Sequence, residues 1–521
     1  MIDISIAYFS MEIGLESHIP TYAGGLGVLA GDYLKSAADM GVPMVGISLL
    51  YNKGYFRQHI VGDRQVESYR SFRAERYMEE MPHKVSLNIS GEEVNIRAMR
   101  YIIKGENGQV PVFFLDTNNG MNSEGLCRLT ECLYGGDHRY RIAQEAILGI
   151  GGVRMLEEMG YDIDVYHLNE GHGAFATIEL EKNLQDAKDR TVFTTHTPVS
   201  AGHDHFSYDD VSDIARDLPD IRGRAGDEIL NMTALAMNNS RIANGVSQLH
   251  AKVSQDLFPG YNIIGITNGV HSFTWTSPEM KALYDQYIPE WRNDPSRIEE
   301  NSIPDDDLID AHLAAKKRLI DYTNIANNTS FSMEPLTIGF ARRFATYKRG
   351  DLILSNLERL ADNGPVQVIF AGKAHPHDHE GKSIIERIVG VSEPDNVRVT
   401  FLENYSMHLG ALLTQGSDIW LNNPRPPMEA SGTSGMKAAH NGIPQISTED
   451  GWWPEAKGGG WTIPNGSDDD NAQFLAQLIK NSALTYKDKH AWASLMRESI
   501  ANASYFNTHR MLSDYMERMY R

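Results

Sequence analysis

Short apolar runs alternate with helical patterns along nearly the whole of this 521-residue chain, and that alternation restricts it to parallel α/β sheets. A strand covered on both faces reads as a continuous apolar run, and two parallel neighbours need a crossover long enough for a helix. In the first half such runs fall at residues 4–9, 44–48, 112–116, 165–168, 191–195 and 263–267. In the second half they fall at 336–340, 366–371, 397–402, 418–421 and 444–447. Residues 85–89 and 94–103 read as an antiparallel excursion about a Gly91-Glu92 turn. The length exceeds what one core supports, so the fold class expected is α/β with two doubly wound, Rossmann-like sheets. Leu308, Ala311, Leu313, Leu319 and Ile320 lie near helical spacing and predict a helix over 305–327 between the sheets. Asp468-Asp469-Asp470 reads as a short acidic surface loop.

No stretch approaches the unbroken apolar length of a membrane span, and no charged-then-apolar leader opens the chain, so a soluble cytoplasmic protein is expected. Cys127 and Cys132 read as unpaired thiols. His196, His203, His205 and Asp204 lack a ligand spacing, so no metal is expected. The formal net charge of −21 disfavours nucleic acid and anionic membranes as partners. Against that background residues 342–349 hold Arg342, Arg343, Lys348 and Arg349 with no acid among them. Their mutual repulsion calls for an anion; a solvated basic face is the alternative.

Ligands of open α/β sheets bind beyond the carboxyl ends of the strands, where the polar words of this chain gather. The first half supplies Asn169-Glu170-Gly171-His172, His196-Thr197-Pro198 and Asn268-Gly269. The second supplies Arg342-Arg343, Gly372-Lys373, Glu403-Asn404-Tyr405 and Asn422-Asn423. One cleft faced by the two sheets would collect them. Taken singly, His172 and His196 are as readily structural as functional. The run from Met428 to Lys437 puts small residues, three hydroxyls and a lysine after an apolar strand, at the start of a helix. Backbone N–H groups there suit an anion, and the lysine either holds phosphate as a point charge or forms a Schiff base with an aldehyde cofactor. The Walker spacing is absent, and a small-residue packing turn is the competing reading.

The words Glu429-Ala430-Ser431-Gly432-Thr433-Ser434-Gly435-Met436-Lys437 closely resemble the cofactor-lysine segment of the α-glucan phosphorylases, the glycogen, starch and maltodextrin enzymes. Residues 339–349 resemble that family's phosphate-binding segment, and residues 22–32 its N-terminal glycine loop. The resemblance runs in order from about residue 6 to about residue 521. It implies the two-Rossmann glycosyltransferase architecture, with domains at 1–266 and 267–504 and a helix at 505–521 that packs back on the first.

The resemblance also implies pyridoxal 5'-phosphate on Lys437, with Thr433, Ser434 and Arg342 at its phosphate and Tyr405 and Trp275 packed near it. Inorganic phosphate would be held by Arg343, Lys348 and the backbone at Gly25, which also neighbours the cofactor. His196 matches a contact to the sugar in the scissile subsite, and Asn268 a residue that holds its hydroxyls. Glu429, Ser431, Gly432 and Tyr347 match further sugar contacts, while Glu170 and His172 match residues lining the cleft. The reaction implied is retaining phosphorolysis of terminal α-1,4-linked glucose to glucose 1-phosphate. The cofactor phosphate promotes proton donation to the glycosidic oxygen. The partners are α-1,4-glucan and inorganic phosphate, and a homodimer is expected because family members commonly form one.

Glu170, Glu403 and Glu429 could serve as paired carboxylates of a glycosidase, but hydrolysis needs no cationic anion site. The rivals are a nucleotide-sugar-dependent glucan synthase on the same fold and a non-catalytic glucan-binding protein. The chain is much shorter than the animal and plant members and opens within its first strand, so nucleotide activation and phosphorylation control at an N-terminal extension are not expected. His440 stands where the family has an apolar residue, and Thr448-Glu449 replaces a more apolar lead into Asp450-Gly451. Both departures bear on substrate preference.

Overall fold

Every strand expected for the parallel cores forms in the computed structural model, which describes residues 4–199, 202–300, 302–362 and 364–521. The chain divides into two compact units. The first comprises described residues of 1–56, 69–267 and 511–521; the second comprises 57–68 and 268–510.

The first unit holds a nine-stranded sheet. Its order is Ile263–Gly265, Ile242–Gly245, Thr191–Thr194, Val165–Asn169, Ile6–Ser10, Met44–Leu49, Gln109–Asp116, Glu92–Lys104 and Glu79–Ile89. The last two pairings are antiparallel and all others parallel. Strand order therefore reverses between Ile6–Ser10 and Val165–Asn169, which opens a crevice beyond Ser10 and Asn169. Alternate residues of one strand feed opposite cores: Ala7 and Phe9 join one apolar cluster, Ile6 and Tyr8 the other. Met511, Leu512, Tyr515, Met519 and Tyr520 complete the second cluster.

In this unit one local expectation needs correction, and one strand of the sheet was not expected. The excursion turns at Ser90-Gly91, not Gly91-Glu92, because Ser90 (φ 55°) and Gly91 (φ 88°) both take the left-handed backbone of a two-residue hairpin while Glu92 already pairs with Ile89. The strand Ile242–Gly245 was not legible, since Ile-Ala-Asn-Gly is no apolar run. It is buried between two neighbours, where Asn244 accepts from Thr194 Oγ1 at 2.6 Å and donates to Tyr515 Oη at 3.0 Å.

The second unit holds six parallel strands, in the order Val397–Leu402, Val366–Ala371, Leu336–Ala341, Ile419–Asn422, Gln445–Thr448 and Gly460–Ile463. Here the order reverses between Leu336–Ala341 and Ile419–Asn422, so the crevice lies beyond Ala341 and Asn422. The helix Asp305–Asn327 forms as expected and is tied to the sheet by fully buried Lys316, whose Nζ donates to Asp418 Oδ2 at 2.6 Å. His312 Nε2 meets the other oxygen at 2.8 Å.

The hairpin Arg57–Val61 and Arg64–Ser68 folds with this unit. Gln58 Nε2 donates to the Gly372 carbonyl and Gln65 Nε2 to that of Ala374, at 2.8 and 2.9 Å. Asp468-Asp469-Asp470 is not a loop. It is the first turn of the helix Asp468–Tyr486, capped by Ser467, where acids complement the helix dipole and Asp468 pairs with Arg349 and Arg425.

Candidate functional site

In the second unit the crevice residues are cationic and buried. Arg342 follows the strand Leu336–Ala341 directly, and Lys348 closes a single 3-10 turn behind it. Both reach Glu429, which lies on the loop between Asn422 and the helix Ser434–Ala439. Arg342 Nη2 donates to Glu429 Oε2 at 2.5 Å, and Lys348 Nζ donates to the same oxygen. Burial alone would raise the Glu429 pKa, but the two cations outweigh it and hold the carboxyl at about 2. Burial and the neighbouring guanidinium push the Lys348 ammonium below its ordinary range.

The intramolecular partner of this basic run is thus an acid from some eighty residues further along, which no local reading of 342–349 could supply. Arg349 is structural: its guanidinium donates to the carbonyls of Asn423 and Pro424 and to Asp468 and Asn471. One carboxylate between Arg342 and Lys348 leaves a positive surplus. Arg342 Nη1 is buried without a hydrogen-bond partner among the described residues. Asn422 Oδ1 and Asn423 Oδ1, beyond the neighbouring strand, are buried and unpartnered in the same way. Arg343 is exposed, its Nη2 3.4 Å from Tyr347 Oη.

The loop then runs from Glu429 through Ser431 and Gly432. Gly432 has φ +72°, and a Cβ there would come within 3.4 Å of Arg342 Nη2. Thr433 is the N-cap residue without a side-chain capping bond, and Ser434 Oγ accepts from Trp420 Nε1 at 3.1 Å. On this short helix Lys437 is buried, with Nζ 3.7 Å from the centre of the Trp275 ring. Tyr405 packs against Gly410, where a Cβ would lie 2.5 Å from its hydroxyl. Asn268 Oδ1 is buried without a hydrogen-bond partner among the described residues, and the Asn268 carbonyl accepts from Arg510 Nη2 at 3.0 Å. His440 is fully buried between Ser272 Oγ at 2.9 Å and the Met436 carbonyl at 2.8 Å, and burial lowers its pKa to about 4. It is a neutral strut beneath the Lys437 helix.

In the first unit the crevice gathers Asn169, Glu170 and His196. Glu170 has φ +73° and ψ 166°, a backbone region that is essentially glycine's, and such strain persists only when surroundings over-determine it. Its carboxylate accepts from Gly171 N at 3.1 Å, His196 N at 2.7 Å and Thr197 Oγ1 at 3.1 Å. Burial still raises its pKa to about 6. His196 Nε2 stands 2.7 Å from Asn169 Oδ1, and burial lowers the imidazole pKa to about 3. His172 Nε2 lies 3.5 Å from Asp204 Oδ2, and burial lowers its pKa likewise to about 3.

Ahead of the helix Gly25–Met40, the Ala23 and Gly24 N–H groups donate to buried Glu12 Oε2 at 2.6 and 3.1 Å, and Tyr134 Oη donates to Glu12 Oε1 at 2.7 Å. A Cβ at Gly27 would meet Glu12, and one at Gly31 would lie 1.8 Å from the Gly14 carbonyl, whereas at Gly24 and Gly25 it would meet nothing within 4 Å. The first pair of glycines is needed for packing. The second pair leaves the backbone open to close approach.

Sequence reasoning gave no role to Glu12 or Asp450, whose carboxylates accept from backbone amides of the glycine loop and of the Glu429 loop. Asp450 is buried, accepts from Glu429 N at 2.9 Å and Gly451 N at 2.8 Å, and burial raises its pKa to about 7. The usable signal for each was an acid just past an apolar strand. Among the described residues no group of three His, Cys, Asp or Glu side chains is arranged to hold a metal ion, and no helix is long and apolar enough to cross a membrane.

Comparison with known proteins covers the glycine loop, residues 342–349 and the Lys437 segment, while the family match leaves out Glu12, Asn169, Glu170, His172 and His196. The family described as carbohydrate phosphorylase matches residues 15–105 and 207–455. The maltodextrin phosphorylase of Thermococcus litoralis is 38% identical over 592 aligned residues, covering 99% of this chain and 70% of that protein. The glycogen phosphorylase of Mycobacterium tuberculosis is 34% identical, with 99% and 70% covered. That of Aquifex aeolicus is 31% identical, with 99% and 86% covered.

Proposed function

Because the chain belongs to the carbohydrate phosphorylase family, we propose that it is an α-glucan phosphorylase, transferring the terminal α-1,4-linked glucose of a glucan to inorganic phosphate with pyridoxal 5'-phosphate as cofactor. The observation that carries the reading is the buried pair Arg342 and Lys348 on one carboxylate, with Arg342 Nη1 lacking an acceptor among the described residues. A site that keeps an unanswered guanidinium N–H out of water suits a phosphoryl oxygen.

The residues fit the cofactor as well. Lys437 supplies a buried amine against the Trp275 ring, Gly432 leaves room beside Arg342, and Thr433 and Ser434 open the lysine's helix. When bound there, the cofactor supplies a phosphate monoester, whose second pKa of about 6 permits proton exchange near neutrality.

The chain's own residues do the binding. Arg343 and Lys348 hold and orient inorganic phosphate, and Arg342 adds charge at the cofactor's phosphate. The open backbone at Gly25 admits an anion closely. The family reading gives neutral His196 of the first unit a sugar contact and Glu170 and His172 cleft-lining roles, and it gives Asn268, Glu429, Ser431, Gly432 and Tyr347 of the second unit further sugar contacts. Tyr405 and Trp275 give the cofactor apolar walls. In the reaction the C1–O bond to the glucan breaks as a C1–O bond to phosphate forms on the same face, and a phosphate proton passes to the leaving oxygen. The same family reading makes the enzyme a cytoplasmic homodimer, which light scattering of the purified protein would check.

Two measurements test the proposal together. Borohydride-reduced protein should carry a pyridoxyl adduct on Lys437, and maltodextrin with phosphate should yield glucose 1-phosphate. Active protein with an unmodified Lys437 peptide would defeat the cofactor assignment. Sugar transfer that persists without phosphate and needs a nucleotide sugar would make it a synthase.

A further inference from the structure

The geometry points to Asn169 as a positioning residue that fixes the His196 ring as its Nε2–H tautomer and leaves Nδ1 as a hydrogen-bond acceptor. Hydrogen-bond direction is forced from one end. The Glu12 carbonyl carries no proton, and Ser10 Oγ lies 2.7 Å from it, so the Ser10 hydroxyl donates there. That oxygen can then only accept from Asn169, whose Nδ2 stands 3.1 Å away. With its amide nitrogen committed to Ser10, Asn169 turns Oδ1 to His196, 2.7 Å from Nε2. An amide oxygen only accepts, so Nε2 carries the proton. Flipping the amide would set Asn169 Oδ1 against Ser10 Oγ, whose proton is already committed, and two lone pairs would then face each other.

The ring is neutral, since burial lowers its pKa to about 3, so Nδ1 holds a lone pair. The backbone is fixed independently, because Glu170 Oε2 accepts the His196 N–H at 2.7 Å. Ser10 and Asn169 end adjacent strands in register, so the sheet itself aligns the line from the Glu12 carbonyl to the imidazole. The consequence rests on the phosphorylase reading: an acceptor at Nδ1 takes the proton of a glucosyl hydroxyl, whereas an Nδ1–H ring would donate to that hydroxyl's oxygen and reverse the bond.

The test uses the full chain labelled with ¹⁵N-histidine, with the His196 signals identified by their loss in His196→Ala. Two-bond ¹H–¹⁵N correlation should give a pyridine-like Nδ1 and a pyrrole-like Nε2; the reverse assignment overturns the proposal. Asn169→Asp keeps an acceptor and should keep the tautomer. Asn169→Leu removes it and should give mixed tautomers, with KM for maltodextrin raised about fivefold, the worth of one ordinary hydrogen bond. Ser10→Ala should loosen the tautomer partway and add nothing in the double variant with Asn169→Leu. If the aspartate and leucine variants lose activity equally while the ring keeps its wild-type tautomer, Asn169 merely packs and the proposal fails. Wild-type protein that releases no glucose 1-phosphate would sink the phosphorylase reading alone, since the ring assignment is made without turnover.

Discussion

Glu429→Gln isolates the charge balance of the second unit. The substitution keeps shape but strands two buried cations that share one carboxylate oxygen. The carboxyl titrates at about 2 against an ordinary 4.5, which at roughly 1.4 kcal/mol per pH unit makes the folded state about 3 kcal/mol more stable near neutrality. Breaking a buried ion pair by removing one partner costs about 3–5 kcal/mol, so two routes converge. For a unit of this size that is roughly 6 °C in melting temperature. All seven tryptophans lie at positions 275–492, inside the second unit, so tryptophan fluorescence follows its melting alone.

In phosphate-free buffer at pH 7 the variant should melt roughly 6 °C below wild type. Added phosphate should raise the variant more, because an anion answers the stranded cations; a hundredfold excess over Kd restores about 2.7 kcal/mol. The sign of the pH dependence is fixed. A depressed carboxyl stabilises above its unfolded pKa, so the gap should stand above pH 4.5 and vanish as pH falls to about 2. A variant as stable as wild type, or equal phosphate shifts in both proteins, would refute the reasoning.

Glu170→Gly should be more stable than Glu170→Ala by about 1–3 kcal/mol, because glycine alone takes that backbone without strain; urea denaturation giving the opposite order would dismiss the strain. Asp450, with its carboxyl raised to about 7, stabilises fully below its unfolded 3.8 and loses that contribution as pH rises through 7. Asp450→Asn should therefore gain on wild type in melting temperature across that window, and a pH-independent difference would count against it. Gly25→Ala should melt within about 1 °C of wild type yet bind phosphate more weakly in kinetics, whereas Gly31→Ala, driven against the Gly14 carbonyl, should lose upward of about 3 kcal/mol. An unchanged KM for phosphate in Gly25→Ala would remove that glycine from the site.

What the sequence determined by itself is local. Runs such as Leu336–Ala341 and Val366–Ala371 declare buried parallel strands, because a chain covered on both faces must be apolar throughout. The Lys437 word and the glycine loop were legible for the same reason: a backbone conformation or an amine needs particular residue types at particular places. Ile242–Gly245 escaped because its burial comes from flanking strands and not from its own side chains.

The tertiary structure alone decided which distant groups meet. It carried Glu429 to Arg342 and Lys348, turned the Glu12 carboxylate onto the amides of the glycine loop, folded the 57–68 hairpin with the second unit and set Ser10 beside Asn169 and His196. Coulomb and hydrogen-bond energies depend on separation in space, and separation along the chain holds no record of it until the strands have taken their order in the sheet.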